Sequence, residues 1–411
     1  MERITAGLLI PGSGEPVRDG VVVLDGERIS YAGPAAGAPA TPGAAEHQAA
    51  AVMPGLWDCH GHFIGSRVFD LGRMPLEHAA TRAARAAGRD LRAALDAGVT
   101  SVREVGGLGT YLARPVAEGV IDGPSIYPAG AILSTTGGHG DLHSYPLGWM
   151  HEFAATDGML RLADGVSECM LAVREQLRKN AKVIKVCASG GVMSEVDDPV
   201  HQQFTSPELR AIVEVAGLAE RVVAAHCHGK PGIIAALEAG VTTIEHGTYL
   251  DDECCAAMRE TGAILVPTRT IFEEILAGLD AVPPYAAAKL TAASGSHLAA
   301  VSRAIEAGVT IAMGTDIALT GTDLPNSWGK NGAELGHLVK LGLSPLQAIE
   351  AATATAPRTL GPQAPRSGLL AAGYDADVIT LDADPLADIG VLASPDRVTG
   401  VWTAGRQVKT A

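Results

Sequence analysis

The stretch DAGVTSV, residues 96–102, has the pattern of a helix that ends where a buried strand begins. Close copies occur as EAGVTTI at 238–244 and EAGVTIA at 306–312, with a looser copy, ETGAILV, at 260–266. Each copy follows an alanine-rich segment, has a glycine where a helix C-cap favours a left-handed residue, and continues into a β-branched run. Helices that alternate with buried strands predict an α/β protein with a parallel sheet or barrel.

Apolar runs extend this pattern along most of the chain. Eight such runs, separated by helical segments, favour a (β/α)8 TIM barrel, and a doubly wound open sheet is the competing fold. The candidate strands are Val52–His60, Thr100–Glu104, Ser125–Ile132, Val183–Ala188, Val222–His226, Thr242–His246, Ile264–Thr268 and Thr310–Thr315.

The two ends of the chain lack helical periodicity. GVVVLDGERISYAG, residues 20–33, has Asp25 and Gly26 between apolar runs, which is a hairpin signal. Two C-terminal segments, DADVITLDAD and VTGVWTAGRQVKTA, also have the pattern of strands, with a turn at Gly405. We therefore expect residues 1–52 and 360–411 to pair into a small β-sandwich domain beside a barrel of residues 53–359.

Composition excludes several classes of protein. The chain has 46 acidic against 31 basic residues, a net charge of −15, whereas nucleic-acid binders have basic surfaces. Six cysteines without a CxxC pair indicate reduced thiols in the cytoplasm. The N-terminus lacks a signal-peptide pattern, and no apolar stretch approaches the roughly 20 residues of a membrane span. We expect a cytoplasmic homo-oligomer with a small-molecule substrate and neither nucleic-acid nor membrane partners.

Side chains that bind metals gather at the carboxyl ends of the predicted strands, where (β/α)8 barrels keep their active sites. A single histidine at such a position is more often a hydrogen-bonded core residue. This many together predict a metal site, given the preference of zinc and similar ions for nitrogen and carboxylate ligands. The residues are His60, His62, His226, His228, His246 and Asp316, with Lys185 inside the fourth strand.

The number of candidate ligands favours two metal ions over one. Without His228, the four histidines and the aspartate that remain still exceed the about three protein ligands that a catalytic zinc uses. Lys185 lies in an otherwise apolar strand, VIKVCASGG, and an ammonium group cannot bind a metal. A lysine carbamate, formed with carbon dioxide, has two oxygens that can bridge two ions. Zinc suits these ligands, as do nickel, cobalt and manganese.

These segments resemble the amidohydrolase superfamily. The matching pieces are PGLWDCHGH, IKVCASGG, AHCHG, IEHG and GTD, followed by LSPLQAIEAATATAPRTLG and GYDADVITLDADPLADI. Within the superfamily the chain is similar to the branch of imidazolonepropionase-like proteins and Xaa-Pro dipeptidases. The segment STTGGHGD, residues 134–141, resembles the dipeptidases in particular.

The resemblance implies two divalent metal ions and a ligand set. The more buried ion would be held by His60, His62 and Asp316, and the more exposed one by His226 and His246. N6-carboxylated Lys185 and a hydroxide would bridge the two ions.

The resemblance also implies catalytic roles. Asp316 would take the proton of the attacking hydroxide and deliver it to the leaving nitrogen. His228, with the exposed ion, would polarise the scissile carbonyl.

Cys187 and Cys227 alternate with the ligands along their strands, so we expect both thiols in the core.

Four further residues are candidates for binding the substrate. His139 and His143 follow the third strand and could bind a carboxylate or a carbonyl, although hydrogen bonds within the loop would explain them equally. Arg269, in VPTRT, offers a bidentate carboxylate clamp or faces solvent. Tyr249, after IEHG, contacts substrate or packs against its loop.

One segment departs from the family pattern. Where relatives often have His-Gly before an asparagine, this chain has NSWGKNGAEL, residues 326–335, with Trp328 and Lys330. A tryptophan there could form the wall of an apolar or aromatic pocket.

The leading hypothesis is a binuclear metal hydrolase of an amide bond. We expect its substrate to be an Xaa-Pro type dipeptide or an N-acyl amino acid, including aromatic ones such as ochratoxin-like amides. One alternative is cyclic-amide hydrolysis, as in imidazolonepropionase. A second alternative is a mononuclear deaminase, but Lys185 argues against it because a single-metal site has no need of a bridging lysine. A third is a non-catalytic metal-binding assembly protein.

Overall fold

The computed structural model of this chain describes residues 1–68, 70–156 and 159–410. Within those ranges no helix is both long enough and apolar enough to cross a bilayer. Parallel strands alternate with helices through the middle of the chain, which confirms the predicted α/β class.

The described strands are β1 Glu2–Leu9, β2 Val17–Asp25, β3 Arg28–Pro34, β4 Ala45–Pro54, β5 Leu56–Ser66, β6 Val99–Glu104, β7 Ser125–Pro128, β8 Ile132–Ser134, β9 Leu160–Leu162, β10 Ile184–Cys187, β11 Val223–Cys227, β12 Thr243–His246, β13 Ile264–Val266, β14 Ile317–Leu319, β15 Val378–Leu381, β16 Val398–Thr403 and β17 Arg406–Lys409. The helices are α1 Ala79–Arg85, α2 Leu91–Asp96, α3 Gly109–Ala117, α4 Leu147–Thr156, α5 Val166–Arg178, α6 Ser206–Gly217, α7 Lys230–Ala239, α8 Asp252–Thr261, α9 Arg269–Leu276, α10 Pro284–Glu306, α11 Ala333–Lys340 and α12 Pro345–Ala351.

Three of the four repeated segments, at 96–102, 238–244 and 260–266, are helix-to-strand junctions, as predicted, while the copy at 306–312 follows a helix but does not begin a regular strand. Helix α7 ends at Gly240 and α8 ends at Gly262, and both glycines are left-handed, with φ of +92° and +72°. A β-carbon disfavours that conformation, which explains the glycine in each repeat. Strands β12 and β13 begin within three residues of these glycines and pair in parallel.

Both ends of the chain contribute to one seven-stranded sheet, in the order β17-β16-β15-β4-β1-β2-β3. The predicted hairpins are present: Asp25 pairs with Arg28, and Thr403 pairs with Arg406 around Gly405. The predicted first strand, Val52–His60, is in fact divided at Gly55. There the backbone changes partners, because Gly55 N–H donates to Asp377 at 2.9 Å while the next residue begins β5.

Two parallel sheets form the middle of the molecule. Their orders are β13-β12-β11-β10-β8-β9 and β14-β5-β6-β7. The sheets are hydrogen-bonded to each other at two places. Lys182 N–H donates to Pro128 at 2.7 Å, and the segment 310–313 bonds to Leu265 on one side and Cys59 on the other at 2.9–3.0 Å. The ligand-bearing strand β5 therefore lies between two neighbours that also end near the candidate site.

The predicted eighth strand, Thr310–Thr315, makes one isolated bridge, between Ile311 and Leu265, and the regular ladder begins later, at β14. The reason lies in the backbone of its last residues. Thr315 N–H donates to the Asp58 carboxylate at 3.1 Å instead of to a neighbouring strand. Asp316 then takes a left-handed conformation, with φ of +61°.

Candidate metal centre

One cavity collects the candidate ligands from five different strands or strand ends. Strand β5 supplies two of them, β10, β11 and β12 supply one each, and one immediately precedes β14. His228 and His139 line the same cavity. The six candidate ligands that line it are His60, His62, Lys185, His226, His246 and Asp316.

Asp316 is the centre of the first group of ligand atoms. Its Oδ1 lies 3.1 Å from His62 Nε2 and 3.7 Å from His60 Nε2. Lys185 Nζ lies 3.3 Å from the same His60 nitrogen. These atoms face one another inside the cavity, as side chains that share an ion do.

A second group of histidines lies beside the first. His246 Nε2 and His226 Nδ1 are 2.9 Å apart, and one nitrogen each from His226, His228 and His246 lies within a 4.8 Å cluster. Two nitrogens on a tetrahedral zinc with bonds of about 2.0 Å lie about 3.3 Å apart. The spacing therefore fits a shared divalent ion. His246 also falls in a 4.8 Å cluster with His60 and Asp316, so the two groups adjoin.

The outer ring nitrogens of the β5 histidines are held by acceptors. His60 Nδ1 bonds to the Glu245 carboxylate at 2.7 Å, and His62 Nδ1 bonds to the Gly106 carbonyl at 2.7 Å. A carboxylate and a carbonyl can only accept, so each Nδ1 carries the proton. Both Nε2 atoms, which face Asp316, are left with a free lone pair for a metal.

The β11 and β12 histidines are oriented in the same manner. His226 Nε2 bonds to the Gly190 carbonyl at 3.3 Å, and His246 Nδ1 bonds to the Thr268 hydroxyl at 2.7 Å. The nitrogens that remain are the two that face each other at 2.9 Å. His228 is likewise held through Nδ1, which is paired with a threonine hydroxyl at 2.6 Å.

Burial favours the metal-binding form of most of these groups. It lowers the pKa of His60 to about 4, and the charge of Lys185 acts in the same direction. Burial also holds the pKa values of His226 and His246 well below their ordinary range and lowers the pKa of Lys185. In His62 burial also lowers the pKa, but the hydrogen bond and charge of Asp316 outweigh it and raise the pKa above its ordinary value. Neutral imidazole is the ligand form of histidine, and a neutral amine is the form that reacts with carbon dioxide.

A buried ion pair beneath the site was not foreseen. Arg103 and Glu245 are both fully buried, and the guanidinium donates to both carboxylate oxygens at 2.7 and 2.9 Å. Burial alone would raise the pKa of Glu245, but Arg103 and the His60 hydrogen bond hold it well below its usual range. The sequence did contain a signal for this pair. Arg103 lies inside the strand VTSVRE, and a buried charged side chain there needs a partner of opposite charge, as Lys185 does in its own apolar strand.

Asp58 has a structural role. Its carboxylate accepts hydrogen bonds from the Thr315 backbone and hydroxyl, from Asn331 Nδ2 and from the backbone of His60. It is buried outside the cavity lining and fixes the segment that leads to Asp316. Asp58 thus joins β5 to the segment before β14.

Three of the eight described non-glycine residues with a left-handed backbone lie at or beside the candidate ligands. His246, Thr268 and Asp316 all adopt left-handed conformations, with φ of +67°, +55° and +61°. Each of these costs free energy for a residue with a β-carbon, of the order of 1–3 kcal/mol. Such strain clusters at functional sites, where it aims side chains that an ordinary strand end would direct elsewhere.

The rest of the cavity wall is apolar. Apolar side chains from β8, β9, α9, α10 and the loops between them surround the histidine cluster. Among the described lining residues only Lys185 and Asp316 are ionised types. The apolar lining residues include Ile64, Met74, Ile132, Leu142, Met159, Leu160, Val192, Met193, Ile271, Phe272, Ile275, Leu290 and Ala318.

Of the candidate substrate-binding residues, His139 and His228 line the cavity. His143 lies nearby and accepts a hydrogen bond from Val196 N–H at 3.3 Å. Tyr249 packs against the apolar cluster behind the wall.

Arg269 is buried away from the cavity. Its guanidinium is bonded to the Glu273 carboxylate at 2.6 and 2.8 Å and to Ser294 on α10. This geometry gives no support to a carboxylate clamp, which stays a prediction.

Two further expectations differ from the geometry. Trp328 was considered as a wall of the substrate pocket, but it is fully buried and stacks on Phe63 with ring centroids 4.1 Å apart. Cys187 was expected in the core, yet it lines the cavity beside the candidate ligands. Cys187 lies two residues after Lys185 on β10, so strand alternation places both side chains on the cavity side, and the expectation of a core thiol was wrong.

Comparison with known proteins gives a consistent result. The model of the amidohydrolase family matches residues 51–408. Ochratoxinase of Aspergillus niger is 44% identical over 422 aligned residues, which cover 99% of this chain and 86% of the relative. Its crystal structure superposes with a TM-score of 0.91 at 43% identity, covering 100% of this chain and 96% of that one.

Two further likenesses are informative. The crystal structure of a prolidase complexed with N-methylphosphonate-L-proline has a TM-score of 0.91 at 33% identity, and all of both chains is covered. Imidazolonepropionase of Streptomyces griseus subsp. griseus is 25% identical, covering 97% of this chain and 95% of the relative.

Proposed function

This chain belongs to the amidohydrolase family, in the branch that includes Xaa-Pro dipeptidases and imidazolonepropionase, and we propose that it uses two divalent metal ions to hydrolyse the amide bond of an N-acyl amino acid or a dipeptide. Its relatives support the broader statement directly: it is a hydrolase that acts on amide C–N bonds. The observation that carries the finer proposal is the joining of two ligand clusters through His246 in one cavity.

The residues fit two ions. We propose that His60, His62 and Asp316 hold one and that His226 and His246 hold the other, with N6-carboxylated Lys185 between them. Lys185 supports this because its nitrogen is buried within 3.3 Å of a candidate ligand and its pKa is lowered by burial. Bound divalent ions, zinc in our proposal, would supply a hydroxide nucleophile near neutral pH and polarise the scissile carbonyl.

The catalytic work of the chain itself falls on Asp316 and His228. Asp316 would hold the proton given up by the nucleophile and release it to the leaving nitrogen. Its position at the centre of the first cluster, 3.1 Å from His62, supports that role. His228, whose Nδ1 is occupied by Thr248, would direct Nε2 to the carbonyl oxygen as negative charge develops there.

The cavity wall supports a substrate with a large apolar part. Thioethers and branched side chains surround the site, and methionine adapts well to irregular apolar groups. An aromatic N-acyl amino acid, such as an ochratoxin-like amide, fits that wall better than a short polar dipeptide. Ochratoxinase is also the relative with the higher identity, 44% against 25% for imidazolonepropionase, so cyclic-amide hydrolysis is not favoured.

The wider organisation is part of the proposal. We propose that the two parallel sheets close into one (β/α)8 barrel of residues 53–359, supported by the backbone hydrogen bonds along both of their edges. Residues 1–52 and 360–411 would form the small β-sandwich domain, supported by the seven-stranded sheet. The six buried free thiols support a cytoplasmic location, and homo-oligomerisation stays a prediction.

A substrate panel tests the proposed function. Metal-depleted protein is reloaded with zinc, cobalt or manganese and incubated with N-acyl phenylalanines, ochratoxin A, Xaa-Pro dipeptides and imidazolonepropionate. We expect metal-dependent release of the amino acid from the aromatic amides at the highest kcat/KM. Turnover of imidazolonepropionate alone would contradict the proposal, as would metal-independent release.

A further inference from the structure

Helix α10 holds the loop that follows β10, residues 188–205, through one lysine. Lys289 Nζ donates to three backbone carbonyls of this loop: to Gly191 at 3.2 Å, to Ser194 at 2.7 Å and to Asp197. An ammonium group has three N–H donors, so its capacity is used within the loop. The Asp197 carboxylate lies 3.6 Å away and balances the charge.

The same loop fixes His139 at two atoms. Ser194 Oγ lies 2.8 Å from His139 Nδ1, and Gln203 Oε1 accepts the His139 backbone N–H at 3.1 Å. Gln203 is tied in turn to the Asp197 carboxylate at 3.1 Å. Each route from His139 therefore leads back to the segment that Lys289 binds.

The loop also forms the surface on which the His139 ring rests. A β-carbon placed on Gly191 would come within 2.0 Å of His139 Nδ1, so ring and loop backbone are in direct contact. The His139 ring also stacks on His226, with centroids 4.2 Å apart. With Nδ1 occupied by Ser194, the His139 nitrogen left for the cavity is Nε2.

We propose that Lys289 is a positioning residue, which fixes the β10 loop so that His139 Nε2 can bind an oxygen of the substrate; the substrate part of this statement rests on the proposed amide hydrolysis. Lys289 lies outside the lining of the cavity and acts through the loop. Leu290, the next residue of α10, and Met193 and Val192 of the loop form part of the apolar wall, so the same contacts shape the wall.

Lys289→Met is the test variant, because it keeps the methylene chain and removes the three hydrogen bonds. Lys409→Met is the matched control, since Lys409 Nζ also donates to backbone carbonyls, of Asp96 and Pro395, at 2.8 and 2.6 Å in another part of the molecule. We expect hydrogen exchange in residues 188–205 to accelerate at least about tenfold in Lys289→Met only. We expect KM for the substrate to rise about tenfold to a hundredfold, with wild-type metal content at saturating metal.

A double mutant tests the route through His139. His139→Asn alone lowers kcat/KM, and adding Lys289→Met should then lower it little further, while loop exchange still accelerates. If Lys289→Met lowered kcat/KM equally in the wild type and in His139→Asn, the proposal would be overturned. Unchanged hydrogen exchange and KM in Lys289→Met would overturn it as well. If Lys289→Met fails to fold, Ser194→Ala removes the hydrogen bond to Nδ1 and leaves the lysine in place; it should raise KM, and an unchanged KM would count against the proposal.

Ring ¹⁵N NMR of His139 separates this proposal from the proposed function, because it needs no substrate. We expect the Nδ1 and Nε2 shifts to change in Lys289→Met and Ser194→Ala but not in Lys409→Met. If no amide is turned over while these shifts and the loop exchange respond, the proposed function fails and the positioning of His139 stands. Unaltered shifts in both variants would overturn the positioning itself.

Discussion

Each candidate ligand histidine depends on a hydrogen bond at the ring nitrogen that faces away from the cavity. For His60 that partner is Glu245, which is itself held by the fully buried Arg103. The carboxylate fixes the tautomer and raises the basicity of Nε2. A glutamate that touches no ion therefore helps to set the affinity for one.

Glu245→Gln should weaken metal binding about 10- to 100-fold, because a neutral amide is a poorer acceptor for His60 Nδ1–H. Competition with a chromogenic chelator measures the affinity. Glu2→Gln is the control, since it removes a carboxylate–histidine pair of similar length, 2.6 Å to His47, in the seven-stranded sheet. Equal metal affinity in wild type and Glu245→Gln would rule out this role.

Lys185→Ala should lose bound metal and activity together, because the proposed bridge disappears. Short carboxylic acids, which offer two oxygens to the vacated space, should restore part of both. Metal content by elemental analysis and kcat with and without added formate or acetate are the measurements. Lys182→Ala, which removes a half-buried lysine bonded to Asn180 outside the cavity lining, is the control and should change neither. Wild-type turnover in Lys185→Ala would show that no bridge is needed.

Asp316→Asn keeps the size of the side chain and an oxygen for the metal but cannot carry a proton. The loss should fall mainly on kcat, by a factor of about 10² to 10⁴, as expected for a general base. Steady-state kinetics on metal-loaded protein test this, with metal content measured on the same sample. Near-full kcat with wild-type metal content would place the proton shuttle on another group.

At the residue scale, the sequence predicts which residues belong to the candidate site better than it predicts how their side chains are oriented. The candidate ligands could be gathered in advance, because parallel strands end at a common edge and His60, His62, His226 and His246 all fall there. The left-handed backbone of Asp316 could not be foreseen, since it depends on hydrogen bonds between segments about 250 residues apart in sequence. Burial of the Arg269 guanidinium against α10 could not be predicted either, because it too depends on hydrogen bonds to another segment of the chain.

At the scale of elements, α9 and α10 turn a metal-binding strand edge into a selective cavity. Ile271, Phe272 and Ile275 of α9 and Leu290 of α10 line one side of it. They form one cluster with residues of the β10 loop. Selectivity for apolar substrates should therefore depend on these helices, while the chemistry depends on the strands.

Ile275→Ala should lower kcat/KM for an aromatic N-acyl amino acid about tenfold, because about three buried carbon atoms of contact are lost. The N-acetyl analogue of the same amino acid, which is too small to reach the wall, should be little affected. Kinetics on the two substrates give the selectivity ratio. Ile305→Ala on α10, where the side chain packs in the main core, is the control. An equal loss on both substrates would mean that α9 does not contact the acyl group.

Element types followed from the sequence where the signal was local. The helix-to-strand junctions at Gly240 and Gly262 and the hairpins at Asp25 and Gly405 needed only neighbouring residues to specify them. Element boundaries needed distant partners. The break at Gly55 reflects contacts with Asp377, which no local pattern of residues 52–60 could indicate.

At the scale of the whole molecule, the two ends of the chain support the catalytic region. Strand β4 lies between β15 and β1 in the terminal sheet and leads through one glycine into β5, which carries His60 and His62. The absence of helical periodicity at both ends predicted strands there, but the order of those strands depends on long-range pairing. Resemblance to a family supplied what local physics could not, which is the assignment of the gathered ligands to two separate ions and of catalytic roles to Asp316 and His228.

The most direct test of a two-ion amidohydrolase is a metal titration of activity. Metal-free protein is supplied with bicarbonate and increasing zinc, and the rate of hydrolysis of an aromatic N-acyl amino acid is measured against bound zinc per chain. We expect activity to rise to a plateau at about two bound ions per chain and to be lost again on chelation. A plateau at one ion per chain, or activity that survives complete removal of metal, would contradict the two-ion centre.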